Sequence, residues 1–338
     1  MNDNFQKPAS RRRFLLAMAA CAAPGAVLAQ ANGNANANVG GTLAGPVRML
    51  VPFTPGTTPD NVARLIGPRL ARRLGQPVVV DNRPGASGII GMEATAKAPP
   101  DGQTVMVTTN TTLTLPYFYK KVPFDVIQSF QPLAMIGSNN FALVAHPSLP
   151  TGSLQELVGY LKAHPGEVNY ASPGMGTLHH LAMEKIIAST GVKMSHVPYK
   201  GTAGAMTDLI GGHVKLMIMP LQLAMPQQIE GKLKIIGATR AQPDPLYPKV
   251  VPLQEAGVPN FDEDAWVAVW GPKGMAPAMV ALYNAAIREA LEDPEVKAGM
   301  VQQGLTLRPS TPEELRRTAV AEYEKWGRVV REAKIQAE

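Results

Sequence analysis

The chain has 338 residues, of which 45% are hydrophobic and 17% are charged, and its net charge is +6. This length exceeds what one small core needs and suits two domains of ordinary size. The single cysteine, Cys21, excludes a disulfide-stabilised scaffold, and the apolar content excludes a disordered chain. Half of the net charge lies in the first 29 residues, and no basic run interleaved with aromatic residues follows. The charge therefore does not indicate nucleic-acid binding.

The N-terminus is typical of a secretory signal. Three arginines and Phe-Leu occupy Arg11–Leu15, and an apolar stretch then leads to small residues that end at Ala29. Arginines before Phe-Leu suit the twin-arginine route and predict cleavage after Ala29, with lipidation at Cys21 as the alternative. We expect residues 1–29 to be the signal, residues 30–45 to be a disordered Asn-rich tether, and the mature protein to be soluble and periplasmic.

From Val47 onwards, short apolar runs alternate with segments of helical periodicity. Residues 60–74 predict a helix with one apolar face formed by Val62, Leu65, Ile66 and Leu70. This alternation predicts an α/β fold with mostly parallel sheets. Strands are predicted at Val47–Val51, Val78–Val80, Thr104–Thr108, Leu133–Ile136, Phe141–Ala145, Lys193–Val197, Val214–Met219 and Lys234–Ala238.

Three helix starts carry capping signals. Ser153 and Thr311 are each followed three residues later by glutamate, which is the spacing of a capping box. Asp293 precedes Pro294, which combines a cap with proline at the first helical position.

Four loops rich in Gly, Thr and Ser follow predicted strands and lead into helices. They span residues 52–60, 81–88, 172–177 and 199–202. In open α/β sheets the ligand crevice lies at the carboxyl ends of the strands, and helix N-termini attract anions. The loops therefore predict an anion site, unless their residues serve only turn and cap geometry.

Motifs for nucleotide, metal or hydrolytic chemistry are missing from the sequence. It contains no P-loop, dinucleotide fingerprint, GxSxG elbow or HExxH motif. The adjacent His179 and His180 point to different sides of a helix, and His180 is more typical of a packing residue than of a catalyst. Lys200 suits either a countercharge for a ligand carboxylate or a solvated loop lysine. We predict a non-enzymatic protein that needs no cofactor and no metal.

Several segments together resemble the Bug family, the extracytoplasmic solute receptors of tripartite tricarboxylate transporters. The resemblance extends from about Pro46 to Trp326–Gly327, and the combination of motifs is specific. The segments are Val51–Phe53 with Gly56 and Asp60, Leu74–Ala86, Pro100–Gly102, His196–Gly201 and Asp208–Gly212.

The resemblance implies a two-lobed type II periplasmic binding protein fold, with a hinge and a ligand cleft between the lobes. The chain would cross between lobes near residues 141–146 and 261–270. The first lobe would then comprise residues 46–145 and 265–338, and the second lobe residues 146–264. The implied partners are a small organic carboxylate and integral membrane transporter subunits. The sequence does not determine the oligomeric state, and a monomer is the default expectation.

Site residues also follow from the resemblance. Neutral hydroxyl and amide donors match the lone pairs of a carboxylate and still permit its release. The first lobe would supply Phe53, Thr54, Gly56, Thr57, Thr58, Thr109, Asn110 and Thr111. The second lobe would supply Ser172, Gly174, Met175, Gly176, Thr177, Tyr199, Lys200 and Met219.

Two positions depart from the family pattern. Thr57 stands where many relatives have glycine, and Met219 replaces a customary acidic residue. Methionine cannot accept a hydrogen bond from an ammonium group and offers an apolar wall, which favours aromatic or aliphatic acids over amino acids. Trp266 and Trp270 share one strand face and are predicted in the core, with stacking on a ligand as the alternative.

Two other functions stay open at this point. One is an enzyme on the same fold that uses Asp60, His180 or Lys200, although no two of them are spaced as a recognisable acid and base. The other is a receptor that presents its bound ligand to a membrane sensor protein, which the sequence does not separate from transport.

Overall fold

The computed structural model describes residues 43–199 and 201–332. The predicted signal sequence, Cys21, the predicted tether as far as residue 42, and Lys200 lie outside these ranges. The N-terminal elements are β1 (Val47–Val51), α1 (Thr58–Leu74), β2 (Val78–Asn82), α2 (Ile89–Ala96), β3 (Thr104–Thr109), α3 (Leu115–Phe118), β4 (Phe130–Asn139) and β5 (Phe141–Ala145). They are followed by α4 (Leu154–Ala163), β6 (Asn169–Ser172), α5 (Leu178–Thr190), β7 (Ser195–Pro198), α6 (Thr202–Ile210), β8 (Leu216–Pro220), α7 (Leu221–Ile229) and β9 (Lys234–Ala238). The last elements are β10 (Ala265–Pro272), α8 (Pro277–Glu292), α9 (Pro294–Gln302), β11 (Leu305–Leu307) and α10 (Pro312–Glu332).

The predicted strands are all present, and three of them have the predicted bounds. The largest difference is β4, which is ten residues long instead of four because it continues through polar but buried Ser138 and Asn139. The first helix begins two residues before its predicted start, with Pro59 in its first turn. It buries Val62, Ile66 and Leu70 as predicted and ends at Gly75, whose left-handed backbone suits glycine.

The three predicted helix starts are capped, but the capping box at Ser153 is not reciprocal, because the Glu156 carboxylate accepts from the Gly152 amide instead of the Ser153 amide. The Ser153 hydroxyl accepts a hydrogen bond from the Glu156 amide, and the Asp293 carboxylate accepts bonds from the amides of residues 295 and 296. At Thr311 the bonds are reciprocal, since its hydroxyl accepts from the Glu314 amide and its amide donates to the Glu314 carboxylate.

Two mixed sheets form the framework. The first has the strand order β11-β4-β10-β3-β1-β2 and the second the order β7-β6-β8-β5-β9. The prediction of mostly parallel sheets is wrong, because β10 runs antiparallel to both β3 and β4, and β5 runs antiparallel to both β8 and β9. Helices cover both faces of each sheet, so these strands are apolar on both sides whatever their direction.

The chain passes from the first sheet to the second at Asn140. Strand β4 ends at Asn139 in the first sheet, and β5 begins at Phe141 in the second. The predicted first lobe includes residues 141–145, whereas the structure pairs them with β8 and β9 of the second sheet. The return passage precedes β10, and the two passages are joined because the Glu263 amide donates to the Thr239 carbonyl and the Thr239 hydroxyl lies 3.2 Å from the Phe141 amide.

Each sheet has its own core, and the C-terminal helix α10 joins both. Leu315 and Ala319 near its start pack in the core of the first sheet, which also buries Trp266 and Trp270. Trp326 and Val330 near its end pack in the core of the second sheet. The expected first lobe of residues 265–338 therefore contributes side chains to the second core.

Among the described residues, no helix combines the length and the apolar character that crossing a membrane requires.

Candidate functional site

A cavity with a volume of about 710 Å³ lies between the two sheets. Both sheets and their helices contribute to its wall. The first side supplies Phe53, Pro55, Gly56, Thr57, Thr58, Pro59, Thr109, Thr111, Asn139, Ala265, Val267, Gln302 and Gln303. The second side supplies Phe141, Leu178, His179, Thr202, Ala203, Pro220, Gln222 and Leu223.

Helix N-termini surround this cavity. Helices α1, α5, α6 and α7 each place a residue of their first turn in the lining. The first amide groups of a helix have no partner within the helix, and its N-terminus carries a partial positive charge. The arrangement is therefore suited to a carboxylate. Three of the four loops predicted to form an anion site lead into α1, α5 and α6, whereas no residue of the fourth loop, 81–88, lies in the lining.

The loop before α1 is shaped by Asp60. Its carboxylate is buried and accepts hydrogen bonds from the Gly56 amide at 2.8 Å, from Asn82 at 2.9 Å and from Arg64 at 3.1 Å. Burial raises the pKa of Asp60, but these hydrogen bonds lower it by more than burial raises it. The pKa therefore lies below its usual value, and the carboxyl stays ionised. Gly56 has φ +83°, which glycine adopts without strain. Asp60 thus holds the loop in place, and both of its carboxylate oxygens already accept hydrogen bonds within the protein.

Thr57, which departs from the expected pattern of the loop, adopts an unstrained backbone conformation. Its φ of −74° is open to any residue, and its hydroxyl donates to the Thr54 carbonyl at 2.8 Å. Thr54 itself is exposed and lies outside the cavity lining.

Asn110 lies between two lining residues but points away from the cavity. Its side-chain amide donates to the Asp264 carbonyl at 2.9 Å and to the Glu322 carboxylate at 3.0 Å. It therefore ties the turn after β3 to the return passage and to α10. Burial raises the pKa of Glu322 to about 7.

The predicted second-lobe loop bonds mainly to itself. The Ser172 hydroxyl contacts the Gly174 carbonyl at 2.9 Å and His196 Nε2 at 2.7 Å, and the Thr177 hydroxyl donates to Gly174 and caps α5. Gly176 packs closely against Phe118, where a side chain would collide with the ring. These residues shape the loop but lie outside the cavity lining.

His180 stabilises the same loop by a hydrogen bond, as the packing interpretation predicted. Its Nδ1 accepts a hydrogen bond from the Gly176 amide at 3.1 Å. Its ring stacks on that of His196, with the ring centroids 4.1 Å apart. His196 stacks in turn on Tyr170 at 4.8 Å. Burial, with the neighbouring His196, lowers the pKa of His180 to about 3, and burial lowers that of His196 to about 4. Both rings are therefore neutral near pH 7.

Three further predicted residues lie away from the cavity wall. The Tyr199 hydroxyl donates to Asp208 at 2.6 Å, and Met175 is exposed beside its loop. Met219 is fully buried in the core on one face of the second sheet, so it forms no wall of this cavity. Pro220, the next residue, lines the cavity instead.

Several lining residues were missed from the sequence. The sequence places Phe141 in a strand and at a lobe crossing, and it addresses His179 only as half of a pair that cannot chelate a metal. Gln222, Leu223, Gln302 and Gln303 belong to helices and turns that carry no Gly or Thr signal. Their position follows from how the two sheets face each other, which no local pattern shows.

The described lining contains no Asp, Glu, Lys or Arg. Its polar groups are threonine hydroxyls, Asn and Gln amides and one imidazole, set among Phe53, Phe141, Leu178 and Leu223. No cluster of three or more metal-ligating side chains occurs in the part of the chain that the structure describes. The cavity therefore suits an acid whose carboxyl groups are held by neutral donors and whose carbon atoms contact apolar walls.

Sequence comparison relates the chain to a family of transport receptors. Residues 62–335 match the family model described as tripartite tricarboxylate transporter family receptor. Protein BugT of Bordetella pertussis is 36% identical over 294 residues, which cover 86% of this chain and 89% of BugT. A UPF0065 protein from the tcbD-tcbE intergenic region of Pseudomonas sp. strain P51 is 32% identical, with 86% and 87% of the two chains covered.

Solved structures give the same relationship. The periplasmic binding protein BugD superimposes with a TM-score of 0.75 at 30% identity, covering 87% of this chain and 99% of BugD. R. palustris Rpa4515, solved with adipate, gives 0.78 at 31% identity with the same coverage. MatC from Rhodopseudomonas palustris, solved with malate, gives 0.74 at 30% identity and covers 85% of this chain and 99% of MatC.

Proposed function

Because this chain belongs to the family of tripartite tricarboxylate transporter receptors, we propose that it is a periplasmic receptor that encloses a small organic carboxylate and delivers it to the membrane subunits of such a transporter. The cavity between the sheets is the observation that carries this function. Both sides supply neutral donors and helix N-termini to it, and two chain passages and α10 connect the sides. Such connections allow hinge closure around a ligand.

The composition of the cavity supports an aliphatic or aromatic acid over an amino acid. An amino acid would bring an ammonium group, and a buried charge without a partner is costly. No carboxylate is present in the described lining to pair with it. The related structures with adipate and malate contain aliphatic dicarboxylates, which is consistent with this choice.

Thermal denaturation of the purified protein with a panel of acids tests the function. The panel contains aliphatic mono-, di- and tricarboxylates, aromatic acids and amino acids. A ligand at 100 times its Kd stabilises the folded state by about 2.7 kcal/mol, so a true ligand raises Tm measurably. Stabilisation by amino acids alone would contradict the ligand class. The absence of any shift, or turnover of a stabilising acid, would contradict the receptor function.

A contact between the two sides gives a second test. The Gln222 side chain donates to the Gln303 carbonyl at 3.1 Å and lies over Gly304, where an added Cβ would collide with it. Gly304→Ala should displace Gln222 and weaken ligand binding about tenfold, since both residues 222 and 303 line the cavity. Isothermal titration with the acid found by the panel measures the change.

Gly231→Ala is the matched control for this variant. Gly231 has φ +71° and Gly304 has φ +69°, so alanine introduces similar backbone strain at both positions. No atom lies within 4 Å of a Cβ added at Gly231. If both variants weaken binding equally, backbone strain explains the loss and the Gln222 contact has no part in it.

A further inference from the structure

His179 is the one described lining residue with an imidazole ring, and its hydrogen-bonding groups are unused. It is the second residue of α5 and is half-buried, and both of its ring nitrogens are buried. Neither ring nitrogen has a hydrogen-bond partner among the described residues. Buried polar atoms are nearly always paired in folded proteins, so an unpaired imidazole on a cavity wall indicates a partner that arrives with the ligand.

The ring is held in a defined orientation. It packs edge-on against the Phe141 ring, with centroids 4.9 Å apart and an angle of 89° between the planes. A half-turn about the Cβ–Cγ bond exchanges the two nitrogens with Cδ2 and Cε1 and leaves the outline of the ring unchanged. The ring therefore offers a nitrogen on either of its edges without disturbing its packing against Phe141.

His179 is neutral in this position. It lies at the N-terminus of α5, where the helix dipole disfavours a positive charge. The described lining contains no acidic side chain to pair with an imidazolium. Burial also lowers the pKa of His179 to about 4. A neutral imidazole has one donor and one acceptor, and either nitrogen can carry the proton.

We propose that His179 is a specificity-determining residue that recognises a hydroxyl group of the ligand, placed one or two carbons from the carboxylate that binds at the α5 N-terminus. This inference rests on the proposed carboxylate-receptor function. The amide groups of the first turn of α5 suit the carboxylate, whose oxygens only accept hydrogen bonds. A hydroxyl both donates and accepts, so it pairs with a neutral imidazole in either tautomer. The predicted ligand class is hydroxycarboxylic acids.

Pairs of acids that differ only by a hydroxyl test this assignment. Malate with succinate, and citrate with tricarballylate, are titrated calorimetrically into the wild-type protein. The hydroxylated member of at least one pair should bind about 10- to 100-fold more tightly, since its absence leaves a buried polar group unpaired. In His179→Leu the ratio of the two affinities should fall to near one. His179→Gln should keep part of the preference for the hydroxylated acid, because an amide also donates and accepts.

His164→Leu is the control for the loss of an imidazole. His164 stacks on Tyr160 at the end of α4 and lies outside the cavity lining, so this variant should keep the wild-type ratio. The melting temperature of each variant is measured alongside, and His179→Gln decides the result if His179→Leu does not fold.

The outcomes separate this inference from the function on which it rests. If the acids bind but the hydroxyl makes no difference, or if the preference survives in His179→Leu, the assignment of His179 is overturned and the receptor function stands. Uptake of a proton on binding that disappears in His179→Gln would show pairing with a carboxylate, and would also overturn it. If no carboxylic acid binds at all, the receptor function fails together with the assignment.

Discussion

Replacing Trp326 with alanine should lower the free energy of unfolding by about 3–5 kcal/mol. The indole is 1% exposed and lies in the core of the second sheet, although α10 begins in the core of the first sheet. The substitution therefore removes a large apolar group and leaves a cavity where the last turns of α10 join the second core. The Lys325 ammonium, 4.7 Å from the ring centroid, also loses its aromatic contact. Urea denaturation measures the loss.

Two comparisons test whether the lost stability comes from the second core. Trp326→Phe keeps most of the buried apolar area and should lose clearly less stability than the alanine variant. Hydrogen exchange should increase in α5, which α10 contacts, more than in α1, which packs against α8. A loss below about 1 kcal/mol, or exchange that increases equally in both helices, would show that the end of α10 adds little to the second core.

Local patterns were sufficient to predict eight strands and the first helix, but they set no bounds for β6 or β11. The apolar run Val47–Val51 became β1 with its predicted bounds, and the cap at Thr311 formed its reciprocal bonds. These features depend on residues close together in sequence. The direction of β10 and the assignment of β5 to the second sheet depend on distant pairing, and apolar residues on both strand faces give no information about either.

The candidate site was only partly predictable for the same reason. Phe53, Gly56, Thr57, Thr58, Thr109 and Thr111 line the cavity as expected. The hydroxyl of Ser172 instead bonds within its own loop and to His196, because a short polar side chain satisfies nearby groups first. His179 and Phe141 lie in the lining because their helix and strand begin at the cleft, which becomes evident only when both sheets are in place.

Acidification should destabilise the protein steeply below pH 6.5. His179, His180 and His196 have pKa values lowered to about 4, 3 and 4, so the folded state keeps them neutral while the unfolded state protonates them below about 6.5. Each such group costs about 1.4 kcal/mol of stability per pH unit over this window. Their contribution is fully present above pH 6.5 and is lost as the pH falls towards 4.

Protonation of Glu322 should change the stability in the opposite direction as the pH falls. Its pKa is raised to about 7, so the folded state binds this proton more tightly than the unfolded state does. Its contribution makes folding more favourable as the pH falls from 7 to about 4.5, and it offsets about one of the three histidines. The net loss should reach at most about 3 kcal/mol per pH unit between pH 6.5 and 4.5.

Urea denaturation at intervals between pH 7.5 and 4.5 measures this slope. The range stops there because carboxylates with lowered pKa values, such as Asp60 and Asp293, begin to protonate at lower pH. Glu322→Gln should steepen the decline, since glutamine can still accept the Asn110 hydrogen bond but does not titrate. His196→Gln should make the net decline shallower by about half, since it removes one of the three histidines while Glu322 still offsets another. Constant stability from pH 6.5 to 5 would show that the three rings are not held neutral by the fold, and the stacked Tyr170–His196–His180 arrangement would then have to tolerate a charge.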